Sequence, residues 1–299
     1  MAGIAEDCLL STMAETPRKP RDDEIDVFGL THIGKVRTTN QDHFLLGSLH
    51  KRLSIQQSSL PEGQLPVDEE RVAFLMMVAD GVGGGQKGEE ASRVALEDVT
   101  QYISESAKCY YQSDAGETDF VEALQEAAAR CHQHLIERAA SDPDAAGMAT
   151  TLTLFIGVWP WAYLLQVGDS RYYIYRRGEL KQISRDQTMA EELAASGVME
   201  RPAALASRWA HVLSSSIGGP QSAPVVIRLA SDWENTHLMC SDGLTKHVSS
   251  EQIVKRLASM TSAKEACELL LQDALDGGGT DNITIIVGRL LSTTPGEKS

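Results

Sequence analysis

The sequence predicts an α+β fold of mainly antiparallel sheets. Two observations lead there. The periodic segments run strands, helices, strands, helices, strand, without the strict strand–helix alternation of a parallel sheet. Apolar runs of strand length, rich in β-branched and aromatic residues, are joined by turn residues such as Trp159-Pro160 and Arg177-Gly178. A third observation concerns function: four of these runs are bounded by a lone Asp beside a Gly or an Asn.

In chain order, residues 1–24 are mixed and contain Pro17 and Pro20, and read as a loose tail. Residues 26–33 alternate and predict a first strand. The polar turn 34–42 leads to a short strand at 43–46. The polar stretch 48–71 is long for a connection. Residues 74–80 form an apolar strand, and Gly81, Gly83, Gly84 and Gly85 follow. Helical periodicity then covers 88–106, through Ala91, Val94, Ala95, Val99 and Ile103, and again 119–140, through Val121, Leu124, Ala128 and Leu135. His132 and His134 on the second helix are two apart, face different sides and cannot chelate one ion together. Residues 147–151 open a run of β-type residues to Val158, and Trp159-Pro160-Trp161 turn it into a second strand ending at Asp169, with Trp159 and Trp161 capping the sheet end. Further strands are expected at 172–176 and 180–183. A helix at 189–196 ends at Gly197. Residues 198–219 are loosely patterned and read as a flap. Strands at 225–229 and 237–240, helices at 250–260 and 263–275, and a strand at 283–290 complete the order.

Candidate site residues from Arg37 to Asp281 interleave along the 299-residue chain, which favours one domain over 25–291 with tails at 1–24 and 292–299. The net charge of −15 argues against nucleic acid as partner, because a phosphate backbone needs a basic surface. The longest apolar stretch, 152–167, is interrupted by Pro160 and is short for a membrane span. Five widely spaced cysteines without a CxxC pair show neither a zinc nor a disulfide framework, and read as reduced thiols in a cytoplasmic protein. No signal peptide is evident, and Cys240, inside an apolar run, reads as core.

Chemistry concentrates at the ends of the apolar runs. Residues 74–85 read FLMMVADGVGGG, so one carboxylate, Asp80, ends a strand and glycines let a ligand approach. The same device gives Asp169 after 161–168 and Asp242 after 236–241, whereas Asp281 precedes its strand. Strands running in opposite directions can bring these side chains to one edge of an antiparallel sheet. Four carboxylates gathered there would force protons onto one another unless cations compensate. All-oxygen donors suit Mg²⁺ or Mn²⁺.

These motifs together resemble the type 2C metal-dependent protein serine/threonine phosphatases, in their bacterial form. The resemblance rests on Arg37-x-x-Asn40-Gln41-Asp42, Asp80-Gly81-Val82-Gly83-Gly84, residues 147–151, Gly168-Asp169-Ser170-Arg171, Ser241-Asp242-Gly243-Leu244 and Asp281-Asn282-Ile283-Thr284. It implies a four-layer αββα sandwich of two antiparallel sheets flanked by helix pairs. It also implies hydrolysis of phosphoserine and phosphothreonine in proteins by a hydroxide bridging two metal ions, with two to three Mn²⁺ or Mg²⁺ ions per chain and an opposing serine/threonine kinase. In that family's terms, Asp80 bridges two metals, the Gly81 carbonyl binds one, Asp242 and Asp281 hold the other, Asp169 joins Asp242 in a third site, and Asp42 acts through water. Arg37 clamps the substrate phosphate; a guanidinium offers two oxygens two donors, which Lys cannot.

The chain departs from the pattern at Val82, where some members carry a proton-donating His. Protonation of the leaving group then falls to water, or to His43 or His211. Gln41 stands where relatives often have Glu, and the segment Arg185-Asp186-Gln187-Thr188 lacks a His. The competing expectations are a regulatory module that keeps the fold without the chemistry, and a metal-dependent nuclease, which the acidic balance disfavours.

Overall fold

The computed structural model describes residues 18–52, 70–83, 86–106 and 117–291. Most of the expected N-terminal tail, most of the 48–71 connection and the tail at 292–299 lie outside the described residues.

Two antiparallel sheets form the centre. Strand β1 is Ile25–His32, β2 Asp42–Lys51, β3 Glu70–Val82, β4 Ala149–Thr150, β5 Leu152–Val158, β6 Trp161–Val167, β7 Arg171–Arg176, β8 Glu179–Gln182, β9 Val225–Ala230, β10 Thr236–Cys240 and β11 Ile283–Leu290. The first sheet has the order β1-β11-β10-β7-β8. The second has the order β2-β3-β5-β6-β9, with β4 paired to β3.

Strand β3 shows why the sheets stack. Its side chains alternate with period two. Leu75, Met77 and Ala79 belong to the core under the helices. Met76 and Val78 join Phe155, Leu164, Tyr172, Met239 and Ile286 between the sheets. Both faces are buried, so the run is continuously apolar rather than amphipathic. Helices α1 (Gln86–Glu105) and α2 (Glu117–Ser141) cover the second sheet. Helices α6 (Ser250–Ser259) and α7 (Ala263–Asp276) cover the first, burying Ile253, Leu257, Ala266, Cys267 and Leu270. The result is the four-layer αββα sandwich expected. Ser249 caps α6: its hydroxyl accepts from Gln252 N, and the Gln252 side chain accepts from Ser249 N at 2.8 Å.

Four local differences from the sequence reading stand out. Strand β2 continues past Leu46 to Lys51, because its ladder with β3 runs on through Gly47 and Ser48 and absorbs a bulge at Leu49/His50. Between 198 and 219 stands a five-residue helix α4 (Arg201–Leu205), too short to show a helical period, after α3 (Met189–Ala195). A single-turn helix α5 (Asp242–Thr245) begins on the Asp itself. Residues 18–24, read as the end of a loose tail, are held: Glu24 is buried and bonded by Arg18, and Arg71 donates to Asp22 and to the Pro20 carbonyl.

Candidate metal centre

Asp80 and Asp169 sit at ends of the second sheet, Asp242 and Asp281 at ends of the first. The carboxylates are thus shared between two sheets rather than carried by one. Strands β3, β6 and β10 run toward this edge of the sandwich and β11 runs away from it, which explains why Asp281 precedes its strand. Arg37, Gln41, Asp80, Gly81, Val82, Asp169, His211, Lys246, Asp242 and Asp281 line a single cleft of about 900 Å³.

The backbone around each carboxylate is closely set. The Asp80 carbonyl accepts from Thr151 N at 2.9 Å and from Thr150 Oγ1 at 3.0 Å, and Asp80 N donates to Thr151 Oγ1 at 3.0 Å. Gly81 N donates to the Gln41 carbonyl at 3.1 Å. A Cβ on Gly81 would lie 2.0 Å from the Gly88 carbonyl oxygen, so β3 and α1 meet backbone to backbone only because both positions are glycine. A Cβ on Gly243 would stand 1.9 Å from the Asn282 carbonyl oxygen, which fixes how close Asp242 comes to the start of β11. Asn282 organises the Arg37 loop. Its Nδ2 donates to the carbonyls of Ile33 and Thr39, each at 3.0 Å, and its Oδ1 accepts from Gln41 N at 2.9 Å.

Asp42 lies behind the cleft and is buried. Its Oδ2 accepts from Ser241 Oγ at 2.7 Å and from Thr284 Oγ1 at 2.8 Å, while its Oδ1 has no partner. His43, one of two imidazoles considered as proton donors, turns toward α1, where its Nδ1 lies 2.9 Å from Ser92 Oγ. His211 is the one on the cleft wall.

Cations already serve part of the cluster. Lys246 Nζ is 2.6 Å from Asp242 Oδ2 and 2.6 Å from Asp281 Oδ2. Arg37 contacts Asp281 through Nε at 2.7 Å and Nη2 at 3.0 Å. Burial pushes the Asp281 carboxyl up, but hydrogen bonds from Lys246 and Arg37 outweigh it and hold the group below its ordinary value. The rest of the cluster goes the other way. Burial first, then the charges of Asp42, Asp242, Asp169 and Asp281, hold Asp80 well above the usual carboxylate range. Burial and Asp242 push Asp169 up to about 7, and burial pushes Asp42 up to about 6.

Among the described residues no three His, Cys, Asp or Glu side chains stand as a ready-made metal cage. On the Asp242–Asp281 side, Lys246 stands between the two carboxylates. The donor set still fits a hard divalent cation. It is all oxygen, it carries surplus negative charge, and Asp42 Oδ1 and Asp242 Oδ1 are buried without partners.

A family model for protein phosphatase 2C matches residues 64–277. The chain belongs to the protein phosphatase 2C family. Among its relatives, the serine/threonine protein phosphatase PstP of Mycobacterium tuberculosis is 29% identical over 225 residues, which is 75% of this chain and 42% of PstP; the chain therefore spans less than half of that relative. The serine/threonine phosphatase stp of Listeria monocytogenes is 28% identical over 214 residues, 71% of this chain and 83% of the relative. The crystal structure of M. tuberculosis PstP/Ppp superposes with a TM-score of 0.71 at 27% identity, covering 89% of this chain and 99% of that one. A structure of the PstP catalytic domain in complex with two manganese ions gives 0.69 at 26% identity, over 90% and 99%. As a protein phosphatase 2C member, this chain keeps Asp80, Asp169, Asp242 and Asp281 on one cleft with Arg37 beside them.

Proposed function

We propose that this chain hydrolyses phosphoserine and phosphothreonine in proteins with the help of Mn²⁺ or Mg²⁺. The observation that carries this reading is the meeting of Asp80, Asp169, Asp242 and Asp281 on one cleft wall with Arg37. Bound there, a pair of divalent ions supplies an activated water and neutralises phosphate oxygens. Asp80 and the Gly81 carbonyl would hold one side of the pair and Asp242 and Asp281 the other. Asp169 with Asp242 would serve a third ion, and Asp42 would act behind them through water. The Arg37 guanidinium, now on Asp281, presents two donors suited to two phosphate oxygens. Val82 has no proton to give at the cleft mouth, so leaving-group protonation falls to water.

The substrates are phosphorylated proteins, which sets this activity against a serine/threonine kinase. Among the described residues no helix is long and apolar enough to cross a membrane. Cys131, Cys240 and Cys267 are free and buried, which supports placement in the reducing cytoplasm. The test is turnover of phosphopeptides and of p-nitrophenyl phosphate with and without Mn²⁺. Turnover only with the ion is expected, and well-folded protein without metal-dependent turnover defeats the proposal.

A further inference from the structure

Lys246 was not legible as a site residue, yet it stands at the centre of the cluster. It follows Asp242 by four positions, at the C-cap of α5, and its ammonium bridges carboxylates from two different strand ends. Its side chain keeps 25% of its accessibility, against 20% for Asp242 and 16% for Asp281. Asp281 has no free oxygen left. Its Oδ1 takes Arg37 Nε and Asn282 N, and its Oδ2 takes Lys246 Nζ and Arg37 Nη2. Asp80 and Asp169, by contrast, form no ion pair among the described residues. The cluster is thus divided into a half neutralised by the protein's own cations and a half that is not.

We propose that Lys246 is a tethered competitor for the divalent cation at Asp242 and Asp281. An ammonium shared by the two Oδ2 atoms and a divalent ion coordinated by the same oxygens at about 2.0–2.6 Å cannot coexist. The long flexible stem of Lys lets the charge swing out to solvent when the ion arrives, and return when it leaves. Held between them, the ammonium also keeps two like-charged groups together. Ion affinity on the Asp242–Asp281 side is therefore set partly by a residue that need not touch the ion or the substrate. This rests on the reading that Asp242 and Asp281 hold a cation, and adds to it the residue that sets the affinity.

The test is Mn²⁺ titration of the full chain, by calorimetry and by thermal shift, for the wild type, Lys246→Met and Lys246→Arg. Lys246→Met is expected to bind Mn²⁺ at least about tenfold more tightly in its weaker class of sites. Lys246→Arg, which keeps the charge, stays within about threefold of wild type. In chelator, Lys246→Met melts below wild type and gains more from added Mn²⁺. Wild-type binding with unchanged or weaker binding by Lys246→Met overturns the role of Lys246 alone. No Mn²⁺ binding by either protein overturns the metal reading and this inference with it. If Lys246→Met does not fold, Lys246→Gln is titrated under the same criterion.

Discussion

At the scale of the residue, each carboxylate has its own electrostatic setting. Asp281 is tied to two cations, whereas Asp80 stands among like charges. Asp80→Asn should lower metal-dependent turnover by about a thousandfold or more, because several kcal/mol of transition-state stabilisation pass through the ions it would hold. Arg37→Ala should act mainly on KM, lowering kcat/KM by about 10- to 100-fold, the worth of charge-assisted hydrogen bonds to phosphate. Steady-state kinetics on one phosphopeptide separate the two.

A pH prediction follows from Asp169. Its folded value of about 7 lies above the ordinary 3.8, so the folded chain keeps a proton that the unfolded chain has shed. That contribution to stability is full below about pH 4 and is lost as pH rises through about 7. In chelator, wild type should therefore lose ground against Asp169→Asn between pH 5 and 7.5, by on the order of 2 kcal/mol or about 5 °C in Tm. Saturating Mn²⁺ should narrow the gap, and parallel melting curves across this range would count against the assignment.

The Asp residues were legible because each interrupts an apolar run, and a charge there needs a reason. Lys246 was not, because Asp and Lys four apart on a helix are an ordinary surface pair. Ser241 and Thr284 stood in the motifs that carry the resemblance, but their bonds to Asp42 were not legible, since the pattern of a hydroxyl residue does not name its partner.

At the scale of the element, strands and long helices could be read from periodicity, whereas single turns could not. Helix α5 has four residues and α4 has five, less than a sequence pattern needs to declare itself. Yet α5 sets the site, because Gly243 lets it touch the start of β11. Gly243→Ala should push α5 from Asn282, cost about 1–3 kcal/mol in urea unfolding, and weaken Mn²⁺ binding because Asp242 moves from Asp281. Unchanged stability and affinity would mean that the contact yields freely. The reach of β2 was illegible for a different reason. Gly47 and Ser48 look like a stop, and only the partner strand β3 carries the ladder past them.

At the scale of the molecule, the order of elements announced an α+β fold of mainly antiparallel sheets and the family resemblance implied the sandwich, but the division of strands between two sheets is a matter of pairing that hydrophobic pattern does not encode. The register now fixes directions. Asp42 pairs with Asp80 at the cleft end of β2 and β3, and Lys51 pairs with Glu70 at the other. Lys51 and Glu70, which flank the connection 53–69, therefore lie away from the chemistry. Replacing the connection with a short glycine-containing turn should leave kcat/KM within about twofold. A loss beyond about tenfold in folded protein would instead give this connection a part in the site.

The ladder of β1 with β11 has the same polarity: His32 faces Ile283 beside Asp281, and Ile25 faces Leu290 at the far pole. Ile25 and Leu290 thus both stand behind the reaction centre. A fluorescent tag, a lipid anchor or a neighbouring module grafted beside Arg18 or Leu290 would set out from the rear, with the mouth still facing incoming phosphoprotein.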